Sequence, residues 1–200
     1  MTQYDFLVDT YRTERLKTLS VWAQVPDARM AERAEARART PLEHMVHQCI
    51  SEDAWMRTML GIDVGRDALP ATETRDAFVA HYGVCSAARL ERLAQRPESW
   101  FEEQAEFFDV RRSRAWILTR RCLHSAHHRG QLIAAIRAWG QPLYSTYGPT
   151  ADTGGLPKNG GRTIYRFDAV AADQAAPVDA PPLPGRGTAD VTERPRGPER

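Results

Sequence analysis

The sequence predicts an all-α protein: a four-helix bundle with an ordered C-terminal extension and a disordered tail. Four long segments carry apolar residues at helical spacing, alternating strand patterns are nearly lacking, and start and stop signals bracket the segments. With 200 residues, 42% hydrophobic and 26% charged, the chain is large enough for one domain with a real core. That domain is expected over residues 1–167. From 168 to 200 the Ala, Pro, Gly and charged residues offer too little apolar surface to order the chain.

Tyr4 to Val25 places Phe6, Leu7, Tyr11, Leu16, Leu19 and Trp22 along one face, which predicts a first helix ending before Pro26. Asp27 to Arg39 is charged and Ala-rich, without an apolar stripe, and reads as an exposed connection with room for a helical turn. Thr40-Pro41-Leu42-Glu43 is a start signal: Thr40 as N-cap, Pro41 in the first helical position, Glu43 closing a capping box. The second helix then runs to about Leu60 on a stripe of Leu42, Val46, Cys49, Met56 and Leu60, and Gly61 ends it. A third is expected from Glu73 to Gln95 on Phe78, Tyr82, Cys85, Leu90 and Leu93, stopped by Pro97. Glu98 to Phe108 is acidic and aromatic and fixes no conformation. Asp109 then reads as the N-cap of a last helix over Val110–Trp139, closed by Gly140 and Pro142. Leu143 to Phe167 reads as an extension laid on the bundle, with a short strand over Arg162–Phe167. The pattern leaves open whether the helices connect up-and-down or by crossover.

A net charge of +1 supplies no field to attract nucleic acid or an anionic membrane. Three cysteines without a CxxC pair argue against a disulfide framework or a Cys-rich zinc site; Cys49, Cys85 and Cys122 read as small core residues. No signal-peptide pattern opens the chain and no stretch approaches the ~20 apolar residues of a membrane span. A cytoplasmic location is expected.

The histidines carry the functional signal. His124 and His128, four apart, share one helix face, and that face continues through Ile117, Leu132, Ala135 and Trp139. Imidazole nitrogens turned into an apolar interior need partners, and a shared divalent metal supplies one to each ring. Side-chain hydrogen bonds or a surface position are the alternative. His44 and His47 on the second helix both fall off its apolar stripe, so helical phase does not select a third ligand between them. His81 reads as a surface or hydrogen-bonded residue.

His124-Ser-Ala-His-His128-Arg129-Gly130-Gln131-Leu132 resembles the HxxxHRGQL stretch of the DinB/YfiT-like superfamily. The second helix, with His47, Glu52 five residues on and Trp55 eight on, resembles that superfamily's helix-two pattern, and Tyr147-Gly148-Pro149-Thr150-Ala151-Asp152 resembles a loop of one branch. In this register the resemblance implies a three-histidine site of His47, His124 and His128, a dimer, and one divalent transition metal, with zinc, nickel, iron and manganese not distinguished. It also implies a choice of chemistries: a thiol S-transferase or isomerase using a low-molecular-weight thiol, a metal-activated-water hydrolase, or a non-enzymatic metal-binding or stress-related bundle. A small-molecule substrate or thiol and a second copy of the chain are the expected partners.

Five residues are candidates for the surroundings of the site. Glu52 reads as a helix-surface carboxylate more readily than as a base, and Arg129 as half of an inter-helix ion pair more readily than as an anion clamp. Gln131 is expected to hydrogen-bond a ligand imidazole. Tyr147 and Asp152 lie where a loop could close over the bundle end, or where a Gly-Pro turn simply sets chain direction. His127 is expected at an interface or in a hydrogen bond, and Gly130 to admit a closely packed neighbour. Trp55, Trp116, Trp139, Phe107 and Phe108 read as core or dimer seam.

Overall fold

The computed structural model describes residues 3–141 and Leu143. Tyr147, Asp152, the expected strand over Arg162–Phe167 and the tail lie outside the described residues.

Helix α1 spans Asp5–Ala23, α2 Pro41–Ala54, α3 Arg75–Ala94 and α5 Arg114–Ala138, with a one-turn helix α4 at Glu98–Glu102. A 3-10 turn at Asp27–Arg29 is the only regular piece in the α1–α2 connection among the described residues. The capping box at Thr40 forms as the sequence predicts, with both reciprocal bonds present. The expected helix to Leu60 changes character at its end. Trp55–Met59 widen into a π-helical turn, in which the Leu60 N–H donates to the Trp55 carbonyl at 3.0 Å. Gly61 stops it at φ +65°, a left-handed conformation that costs a glycine nothing.

The last helix begins later than the sequence predicts. Val110–Ser113 is not helical but forms strand β2, paired antiparallel with β1 at Gln104–Phe107. Ser113, not Asp109, caps α5, its hydroxyl accepting from the Trp116 N–H at 3.2 Å. The two-residue hairpin turn places Phe108 at φ +53°, a conformation such turns require and bulky residues rarely adopt.

α1 packs against α3 and α5, and α2 against α5 and α3, so α1 and α2 face each other diagonally. The chain therefore crosses the bundle between its first two long helices. Two apolar clusters fill the interior. One joins Leu7, Tyr11, Met56, Phe101 and Ile117; the other joins Trp22, Met45, Phe78, Leu132 and Ile136. Between them the same four helices present a buried polar belt: Arg15 from α1, Gln48 and Glu52 from α2, Ser86 and Arg89 from α3, and Arg121, Ser125, His128 and Arg129 from α5.

Buried polar groups persist only when paired, and most of this belt is. Glu52, 1% exposed, accepts from the Tyr11 hydroxyl at 2.7 Å, the Tyr82 hydroxyl at 2.9 Å and Arg89 at 3.4 Å. Arg89 also reaches Asp53 at 3.1 Å. Glu52 is thus the centre of the polar core and not the surface carboxylate expected from its place off the apolar stripe. Arg129 behaves as expected, its buried guanidinium pairing with Glu14 of α1. The three cysteines are buried core thiols, and burial pushes that of Cys122 up to about 12.

Candidate metal centre

The site lies where α2 and α5 cross the polar belt. The capping box fixes the start of α2: the Glu43 N–H donates to the Thr40 hydroxyl at 3.1 Å and the Thr40 N–H to the Glu43 carboxylate at 2.9 Å. Arg33 forks onto the same carboxylate and, with the Thr40 N–H, holds its pKa below the ordinary value. His47 stands one helical turn beyond this anchor. Across from it, His124 and His128 stack on one face of α5, as their spacing predicts.

The three rings turn their Nε2 atoms toward one another. His47 Nε2 lies 3.3 Å from His124 Nε2, and His124 Nε2 lies 3.1 Å from His128 Nε2. One donor atom from each ring falls within 4.8 Å of the others, and among the described residues no other such trio of histidine, cysteine or carboxylate groups exists. Nitrogens about 2 Å from one tetrahedral ion stand roughly 3.3 Å apart, so the donor set fits a single divalent transition metal.

Protonation favours the same use. Burial, then the charge of Arg121 and neighbouring His47, lowers His124 to about 3. Burial, then His124 and His47, lowers His128 to about 3. His47 is lowered by burial, Arg39 and Arg121. Neutral rings with free lone pairs are what a metal needs.

The surrounding wall is aromatic and cationic. Trp55, at the start of the π-helical turn, stacks on the His124 ring at 5.5 Å between centroids. Arg121, buried, lies with its guanidinium over the Trp55 ring, 5.5 Å from its centroid, and donates to Ser51 and Ser125 at 2.9 Å each. Phe107 packs edge-on against both Trp55 and Trp116, extending the aromatic wall to the exposed Phe108. Of the aromatics expected in the core or a dimer seam, Trp116 and Phe108 are exposed on this chain and so do not belong to its core. On the open side, His47 borders a groove of about 460 Å³ lined by Leu42, Glu43, Val46, Ile50 and Glu73. A larger polar cleft of about 660 Å³ opens elsewhere, beside Asp53, Asp67 and His81.

Against known proteins, the model of the DinB family matches residues 1–155. The chain belongs to the DinB family. A solved DinB-like protein from Bacillus cereus superposes with a TM-score of 0.59 at 16% identity, covering 68% of this chain and 93% of that one. The DinB-like protein YjoA from Bacillus subtilis gives 0.55 at 13% identity, covering 68% and 92%. These likenesses are of fold. No curated protein matches the chain.

Within this DinB-family bundle, geometry chooses between the two α2 histidines. His47 joins the cluster; His44, 4% exposed, lies behind His128, with its Nδ1 3.3 Å from the Nδ1 of that ring. One expectation fails. Gln131 is not hydrogen-bonded to a ligand imidazole: its amide instead meets exposed His127, four residues back, at 3.1 Å. At Gly130 a methyl group would meet nothing within 4 Å among the described residues of this chain, so any close neighbour there would come from outside them. His81 is hydrogen-bonding, as expected, lying 3.3 Å from the Ala68 carbonyl. The sequence pattern does not single out Arg121, although a charged residue on the core-facing Ile117–Leu132 face is a signal that something there needs charge.

Proposed function

We propose that this DinB-family protein is a metal-dependent enzyme that transfers a low-molecular-weight thiol to an electrophilic small molecule. The observation that supports it most is the convergence of three neutral imidazoles, one of which, His47, borders a groove, with no carboxylate or thiol among the described residues joining the cluster. His47, His124 and His128 would hold the ion and leave coordination open to an exogenous ligand. A divalent metal bound there would supply Lewis acidity sufficient to keep a thiol as thiolate near neutral pH. In the transfer, the thiol proton goes to water, a sulfur–carbon bond forms, and the bond to the leaving group breaks with its electron pair.

The protein's own groups suit an anionic ligand. Arg39, Arg120 and Arg121 lie close enough to disfavour protonation of the histidines, and the same field favours a thiolate. The apolar side chains of Leu42, Val46 and Ile50 give the groove a surface for the carbon skeleton of a substrate. A hydrolase is the second reading: Glu52 is committed to Tyr11, Tyr82 and Arg89, and Glu43 to Arg33 and the Thr40 N–H, so Glu73 of the groove is the carboxylate a base role would fall to. The expected homodimer belongs to the same proposal, with exposed Phe108, Val110 and Trp116 as apolar surface to cover.

Elemental analysis of the purified protein, beside His47→Ala and His124→Ala, tests the metal centre. About one transition metal per chain, lost in both folded variants, is the expected result. Consumption of a small thiol by an activated aryl halide or epoxide, with and without chelator, tests the reaction. Bound metal with thiol transfer unchanged by its removal would overturn the transferase reading while leaving the metal centre standing.

A further inference from the structure

We infer that His44 is a positioning residue for the metal ligand His128, accepting a hydrogen bond from its Nδ1–H and so fixing the tautomer that offers Nε2 to the ion. The inference rests on the three-histidine reading above and extends it to a fourth histidine.

The geometry carries it. His44 Nδ1 and His128 Nδ1 lie 3.3 Å apart, and the two rings meet edge-on, 65° between planes and 5.3 Å between centroids. Both residues are only 4% exposed, so water does not readily substitute for this contact. A neutral imidazole has one N–H and one lone pair. Two facing Nδ1 atoms therefore need one to donate and the other to accept.

The direction follows from the other end of the His128 ring. Its Nε2 faces His124 Nε2 at 3.1 Å, inside the cluster. If His44 donated, the His128 proton would sit on Nε2 and remove the lone pair the metal needs. If His128 donates, Nε2 is free. Ligand histidines are commonly held this way by a carboxylate, a carbonyl or water; here a second imidazole takes that place and adds no negative charge to the site. His44 is held in turn by the capped start of α2, its own N–H donating to the Thr40 carbonyl at 3.0 Å. The N-cap, His44 and His128 thus form one chain of contacts ending at the Nε2 atom that would hold the ion.

Two substitutions separate hydrogen bonding from packing. In His44→Asn, Oδ1 stands as many bonds from Cα as Nδ1 does and retains an acceptor. In His44→Leu a side chain of similar bulk has none. Zinc and nickel dissociation constants, measured on the full chain by competition with a chromophoric chelator, should weaken about 10- to 100-fold in His44→Leu and stay close to wild type in His44→Asn. Long-range ¹H–¹⁵N spectra of the zinc-loaded wild type should show the proton on His128 Nδ1 and none on His44 Nδ1; they decide the matter if His44→Leu does not fold. Wild-type affinity in His44→Leu, equal weakening in both variants, or a protonated His44 Nδ1 would overturn the role of His44 alone. A wild type that takes up neither metal would overturn the three-histidine reading and this inference with it.

Discussion

Replacing Glu52 with alanine should cost the protein a large part of its stability without abolishing the metal centre. The side chain is 1% exposed and accepts from Tyr11 at 2.7 Å, Tyr82 at 2.9 Å and Arg89 at 3.4 Å, with the Arg121 Nε 3.8 Å away. Each buried hydroxyl left without its acceptor costs about 1–3 kcal/mol, and breaking a buried ion pair about 3–5 kcal/mol. These costs overlap because one carboxylate serves all the donors, and Arg89 keeps Asp53 at 3.1 Å. The net expectation is a loss of about 3–5 kcal/mol, against the roughly 5–15 kcal/mol that holds a typical domain folded. At roughly 2–4 °C per kcal/mol for a chain of this size, the melting temperature should fall by about 6–20 °C. Thermal and urea unfolding followed by circular dichroism measure the loss. Metal uptake by the folded fraction should persist, because Glu52 is not among the clustered ligands. A Glu52→Ala protein within about 1 kcal/mol of wild type would refute the reading of Glu52 as the hub of the polar core, since a change that small is ordinary for a surface site. Normal stability with lost metal would instead assign Glu52 to the site.

Two further outcomes are expected. His124 and His128 are held at about 3 and His44 at about 4, chiefly by burial, so between these values and 6.5 the unfolded chain binds more protons than the folded one. Stability of the metal-free protein should therefore be fully present above about pH 6.5 and fall as pH drops from there toward 3; urea midpoints that do not move between pH 7.5 and 4.5 would contradict this. Gly130 lies inside α5 with open space where a side chain would go, so Gly130→Ala should raise stability by roughly 0.5–1 kcal/mol, read from the same unfolding curves. Destabilisation there would mean that another copy of the chain, or a part of this one outside the described residues, approaches the helix at that point.

The sequence made the helices legible where side-chain periodicity and caps agreed, and failed where either was missing. Thr40-Pro41-Leu42-Glu43 announces α2 because its cap chemistry is local. The start of α5 is hidden because the hairpin before it turns on Phe108 and Asp109, without the glycine or asparagine that usually marks a two-residue turn. At the site, His124 and His128 were readable from spacing alone. The choice of His47 came from resemblance to the DinB/YfiT-like pattern, since helical phase left His44 and His47 open. Phase could not decide because it was measured from an apolar stripe, while the buried face of α2 is largely polar: His44, Gln48 and Glu52 succeed one another at intervals of four. The same polarity made Glu52 look like a surface residue. Burial of a polar group depends on partners from other helices, here Tyr11, Tyr82 and Arg89, and a single segment carries no trace of them.

That polar belt also bears on which ligand the site prefers. Arg121 is 1% exposed and its charge disfavours protonation of His47 and His124, which leaves their lone pairs for a metal. The same charge would repel a divalent ion, unless it is offset. Glu52 lies 3.8 Å from its Nε, the Ser51 and Ser125 hydroxyls accept two of its N–H groups, and the face of Trp55 lies against it. The offset is partial, because Glu52 also answers Arg89. Three neutral imidazoles and a neutral His44 behind them add no negative charge. A divalent ion in this setting would gain most from a ligand that brings a full negative charge of its own, such as the proposed thiolate or a hydroxide formed from bound water. If the proposed thiol ligand binds there, neutralising Arg121 should weaken thiol binding while leaving metal binding unchanged or tighter, a divergence that packing of the α2–α5 interface alone would not produce.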